Sequence, residues 1–305
     1  MTQAVLTIPM QIPLLVSFEQ LTGLPEFIAY IFVFMFGACI GSFLNVVIYR
    51  VPNEMSLMGS SKCPKCDTAI KPYHNVPVFG WLMLGGKCAS CKEPIAWRYP
   101  AIELLTALVF CLVYWQIGLT AFLPIALAFV SSMIALIFID AEHMILPNVI
   151  TYPMFAIALI VRVVYPLVFD GNYFSDTTYA PISSLHGYPA WVVSLAGALF
   201  GALIGGGSLW LVGAIWKALR GVDAMGLGDV KLLFGIGALL GWRLTALTIF
   251  IGAFTGALAG VIVLSKQKDK DFQTQIPFGI FLGIGAIAAL LFGDRMIAWY
   301  LDRFM

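Results

Sequence analysis

Long apolar runs, separated by short polar breaks, organise this chain. Runs such as Phe27 to Ile48, Val149 to Phe169 and Trp191 to Trp216 reach the ~20 residues that a helix needs to cross a ~30 Å hydrocarbon core. Set against prolines, glycines and charges, the pattern predicts eight membrane helices, at about 27 to 48, 101 to 117, 122 to 139, 148 to 169, 190 to 216, 230 to 241, 243 to 264 and 277 to 292. The sixth is short. At ~1.5 Å per residue it does not span a bilayer alone, so it is either longer than drawn or sheltered by its neighbours. Residues 1 to 26 read as an interfacial segment, because Pro9 and Pro13 interrupt its apolar stretch. Its first 25 residues hold no Lys or Arg, so the basic start of a cleavable secretory signal is missing.

Composition agrees with a membrane-embedded chain. Of 305 residues, 61% are hydrophobic and 11% charged, against roughly a quarter charged in soluble proteins. The net charge of +1 is spread over scattered loops, which gives no footprint for nucleic acid. Charge placement does orient the helices. Arg50, Lys62, Lys65, Lys71, Lys87, Lys92 and Arg98 all follow the first helix, so residues 49 to 100 are expected to be a cytoplasmic domain. Eight crossings put Lys217, Arg220, Lys231, Lys266, Lys268 and Lys270 on the same side, with both termini facing away from the cytoplasm. The glycines at 197, 201, 205, 206 and 207 have no preceding strand to make them a nucleotide loop, and read as a surface for close helix packing.

Within the polar domain, Cys63, Cys66, Cys88 and Cys91 form two C-x2-C pairs, a spacing suited to a zinc ion held by four thiolates. Two disulfides are the rival reading, disfavoured by a reducing cytoplasm. A closed set of four thiolates leaves no open coordination position, so the metal would be a folding staple and not a Lewis acid. His74 is an alternative ligand or an ordinary loop histidine.

Two carboxylates, Asp140 and Asp229, stand at the cytoplasmic ends of apolar helices, where ionisable groups are costly enough to point to function. Asp140 opens D-A-E-H-M-I-L-P-N, and Asp229 closes G-L-G-D, whose Gly226 and Gly228 permit a tight turn or a close approach. Neighbouring carboxyls do not both ionise easily, and a pair sharing one proton supplies a base and an acid together. The charged member would deprotonate a water attacking a peptide carbonyl, while the protonated member stabilises the oxyanion and protonates the leaving amine. Alternatively each Asp caps a helix or pairs with a lysine such as Lys231.

G-L-G-D at 226 to 229 is similar to the G-x-G-D signature of polytopic aspartyl proteases, and A-M-G-L-G-D-V-K-L-L resembles the type IV prepilin peptidase family in particular. Residues 140 to 148 are similar to that family's first aspartate motif. G-S-F-L-N-V-V-I-Y-R-V-P at 41 to 52, R-Y-P-A-I-E-L-L at 98 to 105 after the cysteines, and I-P-F-G at 276 to 279 extend the likeness over nearly the whole chain. The resemblance implies an inner-membrane enzyme with Asp140 and Asp229 as catalytic residues. It would remove the basic leader of type IV prepilins and type II secretion pseudopilins after a glycine, at the cytoplasmic face. It also implies N-methylation of the new terminus with S-adenosylmethionine, for which Asn45, Arg50 and Glu103 are polar candidates at the predicted mouth, unless Arg50 and Glu103 simply pair. Glu142 and Asp223 are candidates for docking the basic leader.

The expected fold is therefore an all-α polytopic membrane protein: a first helix at 27 to 48, a four-cysteine domain at 49 to 100 and a peptidase core at 101 to 305. Two other functions share some features. An intramembrane protease of the signal peptide peptidase or presenilin kind would lack the cysteine domain. A proton-coupled transporter would need more charge at mid-membrane.

Overall fold

The computed structural model describes residues 17–169, 187–221, 226–266 and 277–304. A short helix, α1 (Phe18–Thr22), opened by a Ser17/Gln20 capping box, leads into the long elements α2 (Glu26–Arg50), α4 (Arg98–Ile117), α5 (Leu123–His143) and α6 (Asn148–Val168). Between α2 and α4 lie α3 (Phe79–Met83) and a 3-10 turn at Pro72–His74. After the 187–189 turn come α7 (Ala190–Ala202), a π turn at Leu203–Gly207, α8 (Ser208–Arg220), α9 (Leu227–Lys266) and α10 (Phe278–Phe304). Most of the interfacial segment expected at 1 to 26, most of the 170 to 189 loop, Asp223 and Ile276 lie outside the described residues.

Local chemistry explains where these helices begin and end. Pro25, Pro147 and Pro189 occupy the N-caps of α2, α6 and α7, where a missing N–H costs no helical hydrogen bond. Gly118 (φ 66°) and Gly221 (φ 72°) stop α4 and α8 in the left-handed region. Met144 does the same after α5 at φ 53°. Phe27, Ile31, Phe32, Leu108, Ile160, Trp210, Phe250 and Phe254 are exposed, as side chains facing lipid are.

Seven helices among the described residues are long and apolar enough to cross a membrane, one fewer than the eight read from sequence. The difference lies in α9, which contains both the sixth and seventh expected segments and breaks at Gly241 (φ 77°, ψ 173°). The chain folds back there. Two atoms twelve residues apart, the Leu233 carbonyl and the Thr245 methyl, both lie within 3 Å of where a Cβ on Gly205 would stand, whereas an unbroken helix would separate them by ~18 Å. The first limb, about 21 Å long, is too short for a bilayer. It is sheltered: Leu232, Leu233, Ile236 and Ala238 are fully buried. Gly201 and Gly237 approach so closely that a Cβ on either would fall 2.2 Å from the other's carbonyl, so the glycine-rich surface of α7 serves helix packing.

Candidate functional site

Asp140 lies in the last turn of α5 and is 5% exposed. Its Oδ2 accepts the backbone N–H of Ile280 at 3.2 Å, and the N–H of Gly279 also donates to this carboxylate. Both donors belong to the first turn of α10, whose N-terminal dipole favours an anion. A Cβ on Gly279 would stand 2.7 Å from Asp140 Oδ2, so only glycine lets the α10 backbone come this near. The helix-capping alternative is thus realised at Asp140, and it orients the carboxylate as well.

Asp229 sits in the first turn of α9, and its N–H bonds to the Gly226 carbonyl at 3.2 Å. Gly228 brings this turn against the segment after α5, where a Cβ would meet Leu146 at 3.1 Å. Leu146 also lies beside Gly279, so one side chain is wedged between the turn that carries Asp229 and the start of α10 that holds Asp140. The Asp229 and Asp140 carboxyls lie within electrostatic reach of each other. Lys231 does not pair with Asp229. It donates to Asn148 Oδ1 at 2.9 Å and covers the Tyr152 ring. Glu142 is engaged with Arg98 in an ion pair that ties the end of α5 to the start of α4.

The four cysteines converge through two copies of one turn. Cys63 N–H bonds to Thr68 O at 3.0 Å and Asp67 N–H to Cys63 O at 2.9 Å; Cys88 and Glu93, and Lys92 and Cys88, repeat these bonds at 2.8 and 3.1 Å. Asp67 (φ 51°) and Lys92 (φ 61°) turn the chain at equivalent places. The four sulfurs lie within 4.8 Å of one another, with Cys63 to Cys91 at 3.9 Å and Cys66 to Cys88 at 4.0 Å. Thiolates ~2.3 Å from a tetrahedral zinc stand about 3.8 Å apart, so the set fits that ion. These separations are too long for the rival disulfides, whose sulfurs stand ~2 Å apart. Hydrogen bonding to the Thr68 side chain and backbone pushes the Cys66 thiol down to about 6, and the Cys91 and Ser90 N–H groups lower that of Cys88. Such thiols are poised to bind metal. His74 stands outside the set, its ring against Tyr73 at 4.4 Å.

The third group of candidates separates. Arg50 Nη1 donates to the carbonyls of Ser56, Leu57 and Met58 and Nη2 to that of Ser60, clamping the loop after α2 and not pairing with Glu103. Glu103 accepts the Val78 N–H at 2.6 Å, and Asn45 Nδ2 donates to Tyr99 O at 3.1 Å. Asn45 Oδ1 is buried without a partner. Sequence reasoning missed Val78, whose strained backbone no residue type announces.

Two aspartates brought together at one end of an apolar helical bundle, in a chain that also carries a four-cysteine turn pair, are what a polytopic membrane aspartyl peptidase requires. Residues 35–117 match the bacterial peptidase A24 N-terminal domain, and residues 127–261 match the type IV leader peptidase family. The chain belongs to that family. It is 35% identical over 292 residues to the prepilin leader peptidase/N-methyltransferase of Pseudomonas aeruginosa, covering 88% of this chain and 92% of that protein. The protein of the same name from Neisseria gonorrhoeae is 35% identical over 295 residues (88% and 93%), and that from Legionella pneumophila 32% over 300 residues (90% and 96%). No solved structure matches the chain. Neither the presenilin-like nor the transporter reading gains support from these matches.

Proposed function

We propose that the chain cleaves the leader from type IV prepilins and type II secretion pseudopilins with Asp140 and Asp229, at the cytoplasmic face of the bacterial inner membrane, and then methylates the exposed N-terminus. The observation that carries this reading is the joining of the two aspartates by Gly228, Leu146 and Gly279. Asp140, held by two backbone donors at the start of α10, is suited to be the ionised member that takes a proton from water. Asp229 then holds the shared proton, stabilises the oxyanion and protonates the departing amine. Burial among apolar helices strengthens these electrostatic effects.

Cys63, Cys66, Cys88 and Cys91 hold zinc as a staple for a cytoplasmic domain at 49 to 100, with both termini on the opposite side. S-adenosylmethionine supplies an electrophilic methyl group. The residues at the α2/α4 mouth suit a cationic partner, since Glu103 and Asn45 Oδ1 are acceptors and Arg50 is occupied elsewhere. The direct test is to incubate the detergent-purified protein with a prepilin: a product shortened by its leader, absent with Asp229→Asn, supports the reading. An uncut substrate with folded wild-type protein refutes it.

A further inference from the structure

We infer that Glu103 receives the α-amino group newly exposed on the cleaved substrate and removes its proton, preparing it for methylation. This rests on the proposed dual activity. The observation behind it is a buried carboxylate without a cation. Glu103 is 8% exposed, and its hydrogen-bond partners are the Val78 N–H and the Ser42 side chain. Among the described residues no Lys, Arg or His lies within ion-pair distance of it. A carboxylate removed from water is strongly unfavourable unless a cation or further donors compensate it.

Its surroundings are built for acceptance. Ser42 and Asn45, three residues apart, share a face of α2, as Tyr99 and Glu103 share a face of α4. The two faces meet closely, since a Cβ on Gly41 would stand 2.7 Å from the Glu103 Cα. Asn45, 4% exposed, bonds Tyr99 through Nδ2 and leaves Oδ1 as a second buried acceptor. Val78, whose N–H holds Glu103, adopts φ 62° and ψ −53°, which a β-branched residue rarely tolerates. Strain of this kind concentrates at functional sites.

The other charged groups on these elements have their own partners. Arg50 clamps loop carbonyls, Lys71 lies over the Tyr73 ring, His74 packs on Tyr73, and Arg98 binds Glu142. That last pair sets the level of the site. It joins the start of α4 to α5 two residues beyond Asp140, so Glu103, about 7.5 Å further along α4, lies at the same end of the bundle as the aspartates. An amine released at Asp140 and Asp229 therefore emerges at the same end of the bundle as this buried carboxyl group, which has no ion-pair partner among the described residues.

The step balances simply. The Glu103 carboxylate takes one proton from the R–NH3+ group and leaves R–NH2. The nitrogen lone pair then forms the N–CH3 bond as the methyl–sulfur bond of the sulfonium donor breaks, its electron pair staying on sulfur. Glu103 returns its proton to solvent.

The test compares Glu103→Gln with wild type, both full-length and zinc-loaded, because glutamine can still accept the Val78 hydrogen bond. Peptides spanning the processed pilin N-terminus, with free or acetylated amines, are titrated without methyl donor. Wild type should bind the free amine about 10-fold tighter, and Glu103→Gln should bind both alike. Methylation of pre-cleaved pilin by the variant should fall roughly 10- to 100-fold at pH 7. The gap should close towards pH 9, above the α-amine's ordinary pKa of ~8. Glu103→Asp should restore part of the low-pH rate, and it also serves as the informative variant if the glutamine protein loses its zinc. A loss equal at every pH, or retained discrimination between the peptides, overturns the inference in favour of a structural role. Lost S-adenosylmethionine affinity with amine discrimination intact overturns it in favour of a donor contact. Wild-type protein that transfers no methyl group would instead refute the dual activity itself.

Discussion

Each cysteine turn closes locally through bonds such as Cys63 N–H to Thr68 O, and only the docking of one turn on the other is long-range. The aspartates have no such local frame. Asp140 is oriented by α10, Asp229 by the turn before α9, and Leu146 and the absent side chains of Gly228 and Gly279 bring these parts together. A local site tolerates change elsewhere in the chain, whereas an assembled pair depends on helix positions at tenths of an ångström.

Among changes that spare both the aspartates and the cysteines, the largest break in this comparison should come from adding one methyl group. Gly279→Ala puts a Cβ 2.7 Å from Asp140 Oδ2, and displacement by about 1 Å can cost ~100-fold in rate. Prepilin cleavage should fall by about that factor while zinc content, read by metal analysis, stays unchanged. Undiminished cleavage would mean that α10 does not orient Asp140.

The converse change is Cys63→Ser. Zinc should fall from about one equivalent per chain towards none, and limited proteolysis should then cut between α2 and α4. Active wild-type enzyme without zinc would contradict the staple. Acid sharpens the same point. Protons compete with the metal for all four thiolates, so zinc should be retained at pH 7 and released as the pH is lowered well below that. Metal analysis after dialysis across that range reads the midpoint.

The smallest effect is expected at Glu142. Its pair with Arg98 is partly exposed, at 32% and 27%, and such pairs contribute under about 1 kcal/mol. Thermal unfolding of Glu142→Gln should shift little. A KM for basic leaders raised severalfold would show that Glu142 leaves Arg98 to dock substrate.

This contrast also explains what could be read from the chain before its structure. The C-x2-C spacing describes a local turn, so the convergence of the four cysteines was legible in full. Helix positions were legible from apolar runs set against prolines, glycines and charges. The reversal at Gly241 was visible only as a gap between two segments, because one residue's φ decides whether α9 continues or folds back. The aspartates were recognisable by type and flanking motif, but their orientation was not, since the N–H groups of Gly279 and Ile280 leave no signature in side-chain chemistry. The partners of Arg50, Glu103 and Lys231 were illegible for a similar reason: all three bind backbone or an amide, where charge alone suggests an ion pair.

The central claim is that Asp140 and Asp229 act as one unit, and a double-mutant comparison of prepilin cleavage tests it most directly. Asparagine matches the carboxyl in size but cannot exchange its proton, so folded Asp140→Asn and Asp229→Asn proteins should each lose cleavage by at least about 1000-fold. The double variant should lose little more, because groups serving one chemical step are strongly non-additive. The wild-type pH profile should be bell-shaped, with limbs that belong to the pair. Either single variant cleaving at near the wild-type rate, or two partial losses that multiply in the double variant, would contradict the account.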